Sequence, residues 1–223
     1  MALKIMSVVG ARPNFMKIAP IIEELRCAGI DHILVHTGQH YSSNMSDRFF
    51  EDLQLPEPDI NLNAGSTSHA KQTADIMSKL EDVLIQQKPS LVLLVGDVNS
   101  TLAASLTAAK LRIRIAHVEA GLRSFDFDMP EEINRVVTDR ISDLLFCTEQ
   151  SGIDNLKNEG IDKNKIFLVG NVMIDSLIKN IDAAKKSVIA EELGLKDDFC
   201  VVTAEEARPY HPLAGGAFSP LLR

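Results

Sequence analysis

Short runs of β-branched and aliphatic residues alternate along this chain with longer stretches whose apolar positions recur at helical spacing. Ile5-Met6-Ser7-Val8-Val9 predicts a first strand, and residues 13–27 a helix. His32-Ile33-Leu34-Val35-His36 predicts a second strand, followed by a short helix over 44–53. Ile76, Leu80 and Leu84 fall on one face of a helix predicted over 67–87. Leu91-Val92-Leu93-Leu94-Val95 is apolar without interruption, the pattern of a strand covered on both faces inside a parallel sheet. Beyond it come a predicted helix over 101–110, strands at 114–118, 143–147 and 165–169, and helices over 130–141 and 152–158. One long helix over 175–193 and a strand at Phe199-Cys200-Val201-Val202-Thr203 complete the series.

Strand and helix in strict alternation imply an α/β fold, a parallel sheet with right-handed crossovers and helices on both faces. Residues 1–172 are expected to form a first domain, and 173–203 a connecting helix with the opening strand of a second. Residues 204–223 break the pattern: three of the nine prolines fall there, and no Lys, Ile or Asn. That stretch is expected to be a disordered tail, read either as a flexible natural end or, the favoured alternative, as the product of a truncated or frameshifted reading frame. In sheets of this kind ligands bind beyond the carboxyl ends of the strands, so the polar residues that follow each strand are the candidates.

Composition narrows the classes. A formal charge of −8 leaves no excess of Lys and Arg to neutralise phosphates, which excludes a nucleic-acid binder. Cys27, Cys147 and Cys200 are an odd number, unsuited to a disulfide framework and suited to a reducing compartment, so a cytoplasmic location is expected. The run around 91–96 is too short to span a bilayer, and the first residues carry no leader signal. No membrane association is expected.

After the first strand comes Gly10-Ala11-Arg12-Pro13-Asn14-Phe15-Met16-Lys17, a tight turn into a helix opened by proline. Its free N–H groups, with Arg12 and Lys17, make either a cradle for a phosphate or diphosphate or an ordinary turn with two cations. The G-x-G-x-x-G fingerprint is missing, which argues against a nicotinamide cofactor. His36 and His40 straddle a strand end and a loop, so their spacing implies no metal site. Asp97, at the tip of the central strand, either caps the next helix or faces the cleft; Asn99 and Ser100 are available as caps, which favours the cleft. Glu119 follows the next strand, with Arg123 close by. Pro130 opens a helix carrying Glu131, Glu132, Asn134 and Arg135, and at least one of the two glutamates is expected only to complement the helix dipole. Carboxylates converging on one sheet edge, with cations opposite, suit proton transfer near a phosphorylated ligand.

Five segments in order and register, GARPNFMKIAP, GDVNST, HVEAGLRS, MPEEINR and GNVMIDS, resemble the non-hydrolysing UDP-N-acetylglucosamine 2-epimerases, over residues 3 to 203. The resemblance implies two Rossmann-like domains facing across a cleft, the GT-B arrangement, of which this chain holds the first and little of the second. It implies an isomerase for a UDP-sugar, needing neither cofactor nor metal, whose full-length relatives are homodimers. In that family's reaction UDP-GlcNAc loses its C2 proton and UDP, giving 2-acetamidoglucal; reprotonation on the other face and return of UDP give UDP-ManNAc. By matching motifs Asp97, Glu119 and Glu131 are the catalytic carboxylates, while Arg12, Lys17 and Arg135 bind the substrate and its phosphates. Two departures stand out. A histidine-arginine pair of the family is replaced by Ala204-Glu205-Glu206, with His211 several residues late, and the second domain's motifs are missing. The loop His40-Tyr41-Ser42-Ser43-Asn44 differs from the one that binds a second, regulatory UDP-GlcNAc in some bacterial members, so regulation by substrate is not expected. The alternatives are an epimerase of a related diacetamido sugar nucleotide, a non-catalytic nucleotide-sugar binding fragment, and a glycosyltransferase half-domain.

Overall fold

The computed structural model describes residues 3–38, 56–65 and 68–195, divided into two units at Asp182. In the first unit seven parallel strands run in the order β3-β2-β1-β4-β5-β6-β7. They are β1 (Lys4–Val9), β2 (Asp31–His36), β3 (Ile60–Asn61), β4 (Leu91–Val95), β5 (Arg114–Val118), β6 (Leu144–Cys147) and β7 (Ile166–Leu168). Between them lie α1 (Arg12–Cys27), α2 (His69–Gln87), α3 (Asn99–Lys110), α4 (Pro130–Ile141) and α5 (Gln150–Asn158). After β7 comes α6 (Val172–Lys185), and the second unit contains α7 (Ile189–Glu192).

Alternation along each strand divides the core between the two faces of the sheet. Met6, Val8, Val92 and Leu94 point to one side, against Ile76, Leu80 and Leu84 of α2 and the small Ala103, Ala104 and Ala108 of α3. Ile5, Val9, Leu93 and Val95 point to the other, against Phe15, Ile18 and Ile22 of α1. Burial on both faces is why the central strand reads as an unbroken apolar run. The strand order reverses between β1 and β4, where Ile5 pairs with Leu91 and Val8 with Leu94. That switch point opens the crevice beyond the strand ends.

The structure corrects the sequence reading in three places. The two-residue β3 at the sheet edge is too short to carry a periodicity and was not expected. The helix expected over 175–193 begins at Val172 and breaks after Lys185; Ser187 offers its hydroxyl to the Ile189 N–H (3.4 Å), a local bond that competes with a helical one. Neither Asn99 nor Ser100 caps α3: the helix starts after Val98 without a side-chain cap, and Asn99 turns to Gln72 (2.8 Å). The helix over 44–53, the strand at 199–203, the loop 40–44 and the tail lie outside the described residues.

Candidate active site

Tight turns bring the ends of β1, β4 and β5 together. A Cβ on Gly10 would stand 2.0 Å from Ser100 Oγ and 2.6 Å from Thr37 Oγ1, so only glycine allows β1 to end against α3 and β2. Asn14, in the first turn of α1, accepts the N–H groups of Gly10 (3.2 Å) and Ala11 (3.0 Å) and donates to the Val95 carbonyl (2.8 Å). One buried amide thus fastens the β1 turn to the end of β4. Arg12 occupies the first position of α1, directly after that turn.

Lys17, one turn into α1, forms a largely buried ion pair with Glu119 at the end of β5. The pair lies over Gly96, where a Cβ would stand 3.1 Å from Lys17 Nζ and 3.7 Å from Glu119 Oε2. Gly96 (φ +70°) and Glu119 (φ +69°) both have left-handed backbone, which turns each strand end sharply toward the crevice. For glutamate that conformation is strained, a sparsely populated state held by its surroundings.

Asp97 does not cap α3. Its carboxylate accepts from Arg135 Nε (2.8 Å) of α4, and its backbone carbonyl accepts from Asn134 (2.7 Å). Arg135 also reaches Glu132 (2.5 Å). Glu132 is buried and accepts from the Ser124 N–H, the Ser124 hydroxyl and the Phe125 N–H, each at 3.0 Å. Burial opposes its charge, but these donors and Arg135 hold the carboxyl below its usual range. Of the two glutamates that open α4, Glu132 therefore works as a structural anchor for the loop before the helix. Glu131 is partly exposed in the same first turn and makes no hydrogen bond or ion pair among the described residues.

The structure thus joins Glu119 to Lys17 and Asp97 to Arg135 at one edge, with Glu131 on the helix that carries Arg135. Asn14 and Glu132 are contacts that motif reading did not single out. The polar residue three positions after Ala11 was the signal for the first; nothing in spacing separates Glu132 from Glu131. A deeper group was also missed. His117, the one polar residue of β5's buried run, meets Asp139 (2.6 Å) of α4 and the Gly96 carbonyl (2.9 Å). Asp139 also accepts from the Gly121 N–H (3.0 Å) and Arg123 (2.7 Å), and Arg123 continues to Glu159 at 2.7 and 2.8 Å. Among the described residues no group of three or more His, Cys, Asp or Glu is arranged to hold a metal ion, and no helix is long and apolar enough to cross a membrane.

A protein of Methanococcus maripaludis named as a UDP-N-acetylglucosamine 2-epimerase homolog is 49% identical over 208 residues, covering 92% of this chain and 58% of that protein. The crystal structure of the Methanocaldococcus jannaschii UDP-GlcNAc 2-epimerase in complex with UDP-GlcNAc and UDP superposes with a TM-score of 0.83 at 48% identity, over 86% of this chain and 53% of that one. A Pseudomonas aeruginosa protein named UDP-2,3-diacetamido-2,3-dideoxy-D-glucuronate 2-epimerase is 44% identical, over 92% of this chain and 58% of its own length. The chain spans somewhat more than half the length of the curated relatives it matches, the portion that corresponds to the first domain of a GT-B-type architecture. A family model described as UDP-N-acetylglucosamine 2-epimerase matches residues 23–208, and the chain belongs to that family.

Proposed function

We propose that this chain supplies the acid–base wall of a site that epimerises UDP-GlcNAc at C2, and that it is inactive without a second domain. The observation that carries the reading is the pairing of Glu119 with Lys17 and of Asp97 with Arg135 at the switch-point edge, in a member of this family. Removing the weakly acidic C2 proton needs a positioned carboxylate, and the opposite face needs a second group to return it. Lys17, Arg135 and the start of α1 at Arg12 face the same edge, and their donors suit the departing diphosphate. A diphosphate arriving there competes with Glu119 for Lys17 and with Asp97 for Arg135, so substrate binding itself releases the two carboxylates. Glu131, partly exposed and without a partner among the described residues, completes the set. The same reading extends to a homodimer in the cytoplasm, in keeping with the free thiols of Cys27 and Cys147.

The test joins residues 1–172 to the second half of the M. jannaschii relative and follows conversion of UDP-GlcNAc to UDP-ManNAc together with solvent deuterium entering C2. The fused protein is expected to be active, and Asp97→Asn, Glu119→Gln and Glu131→Gln each to slow it by about 10² or more. The 223-residue chain alone is expected to show no C2 exchange, because a cleft with one wall cannot hold UDP while it is detached. Unchanged rates in all three variants would overturn the assignment, and exchange by the chain alone would show that the second domain is dispensable. Running the assay with a diacetamido UDP-sugar separates the alternative substrate class suggested by the Pseudomonas relative.

A further inference from the structure

His117 lies in the buried interior of β5, and both of its ring nitrogens face oxygen acceptors: a carboxylate oxygen of Asp139 (2.6 Å) and the Gly96 carbonyl (2.9 Å). A neutral imidazole carries one N–H, so one nitrogen would point its lone pair at an oxygen lone pair. The proton cannot be taken from Asp139 instead. That carboxylate already accepts the Gly121 N–H (3.0 Å) and a guanidinium N–H of Arg123 (2.7 Å), the environment of an ion. Formal charges across the cluster close only with the imidazolium, since His117 and Arg123 then balance Asp139 and Glu159.

The two anchored backbone groups, the Gly96 carbonyl and the Gly121 N–H, belong to the two site-bearing turns. The Gly96 carbonyl is part of the peptide that leads into Asp97, and Gly121 lies two residues after Glu119 in the turn where both have positive φ. We infer that His117 is held as an imidazolium through the neutral range and serves as the positioning residue that locks the Asp97 turn and the Glu119 turn to one buried carboxylate, Asp139. The inference rests on reading Asp97 and Glu119 as the working acids. The charged and titratable groups around the ring are Asp139 on α4, Arg123 and Glu159 beyond it, Glu119 just past the end of its own strand with Lys17 opposite, and Cys147 on β6. Burial opposes the ring's charge, but Asp139, the Gly96 carbonyl and Glu119 together raise its pKa above the ordinary value.

The test is nuclear magnetic resonance on the full chain labelled with ¹⁵N-histidine and ¹³C, with no substrate present. At about pH 8, above the ordinary histidine range near 6.5, both His117 ring nitrogens are expected to give protonated signals. On further alkaline titration the Gly96 carbonyl, the Asp97 amide and the Gly121 amide are expected to shift together with the ring, and to stay flat over that range in His117→Gln. In Asp139→Asn the ring is expected to become neutral at the same pH. A neutral His117 signal in the wild-type chain at about pH 8 overturns the inference, as does a ring titration that leaves Gly96 and Asp97 unmoved. The wild-type measurement decides the matter even where a variant does not fold. Because no turnover is measured, a neutral ring leaves the reading of Asp97 and Glu119 standing, whereas loss of that reading would come from the epimerisation assay alone.

Discussion

Two regions of the first unit reverse the usual relation of polarity to burial, in opposite ways. Around the ends of β4 and β5, His117, Asp139, Glu132 and Asn134 are buried polar groups, and each meets partners within the chain. From β7 into α6, Leu168, Val169, Ile174, Leu177 and Ile178 are large apolar residues more than half exposed. Buried charge persists only when its hydrogen bonds are complete, so the first region is finished in itself. Contiguous exposed apolar surface marks a place where another surface is expected to lie. The chain therefore holds a complete set of polar supports beside a face with no cover among the described residues.

The sharpest way to break this contrast is Asp139→Ala, which strands the charge of His117 and the Gly121 N–H in the interior and leaves Arg123 with Glu159 as its remaining carboxylate. Removing one member of a buried ion pair costs about 3–5 kcal/mol, read as a large drop in the urea midpoint. A loss below about 1 kcal/mol would mean that water reaches the cluster.

How far this was legible in the sequence differs between the two regions for a physical reason. Strand order follows from alternation and from the unbroken apolar run of β4, because burial on both faces leaves a one-dimensional trace. Asp97 and Glu119 were legible because they directly follow strands that end at one edge. Partner choice was not: whether Asp97 capped α3 or turned to Arg135 depends on α4 folding back over β4, a contact between residues 38 positions apart. Nor could spacing tell Glu131 from Glu132, since neighbours on a helix point about 100° apart and only the loop at Ser124 and Phe125 decides which one is buried.

A second variant probes the backbone of the finished region. Gly121 has φ +81°, and a Cβ there would stand 2.2 Å from the Gly152 carbonyl oxygen. Gly121→Ala is expected to destabilise by about 1–3 kcal/mol from backbone strain alone, with the collision added. Thermal unfolding measures it, and an unchanged midpoint would show that the β5 turn is free to move.

The pH dependence should be milder. His117 is raised in the folded state, so its contribution is complete below about pH 6.5 and is lost as pH rises through the raised value. Asp139 is lowered, chiefly by His117 and Arg123 against the opposing effect of burial, so its contribution holds above about pH 4 and is lost as pH falls through the lowered value. Melting temperatures across the alkaline range should decline, and His117→Gln should flatten that limb. The smallest effect is expected on the uncovered face: Leu177→Ser and Ile178→Ser should change stability by no more than about 0.5 kcal/mol while reducing self-association in sedimentation. A variant there that unfolds the chain would mean that α6 is part of the core.

The reversal of strand order at β1 also bears on how the chain is made. β1 is made before the other strands of this sheet, yet it lies inside it, between β2 and β4, and its second neighbour is not complete until Val95. Until then β1 presents an open hydrogen-bonding edge, the feature by which nascent chains pair wrongly with one another. For later strands that exposure is brief, since β5, β6 and β7 each add beside the strand made just before. A ribosome paused ahead of β4 should therefore hold a more aggregation-prone intermediate than one paused after β6.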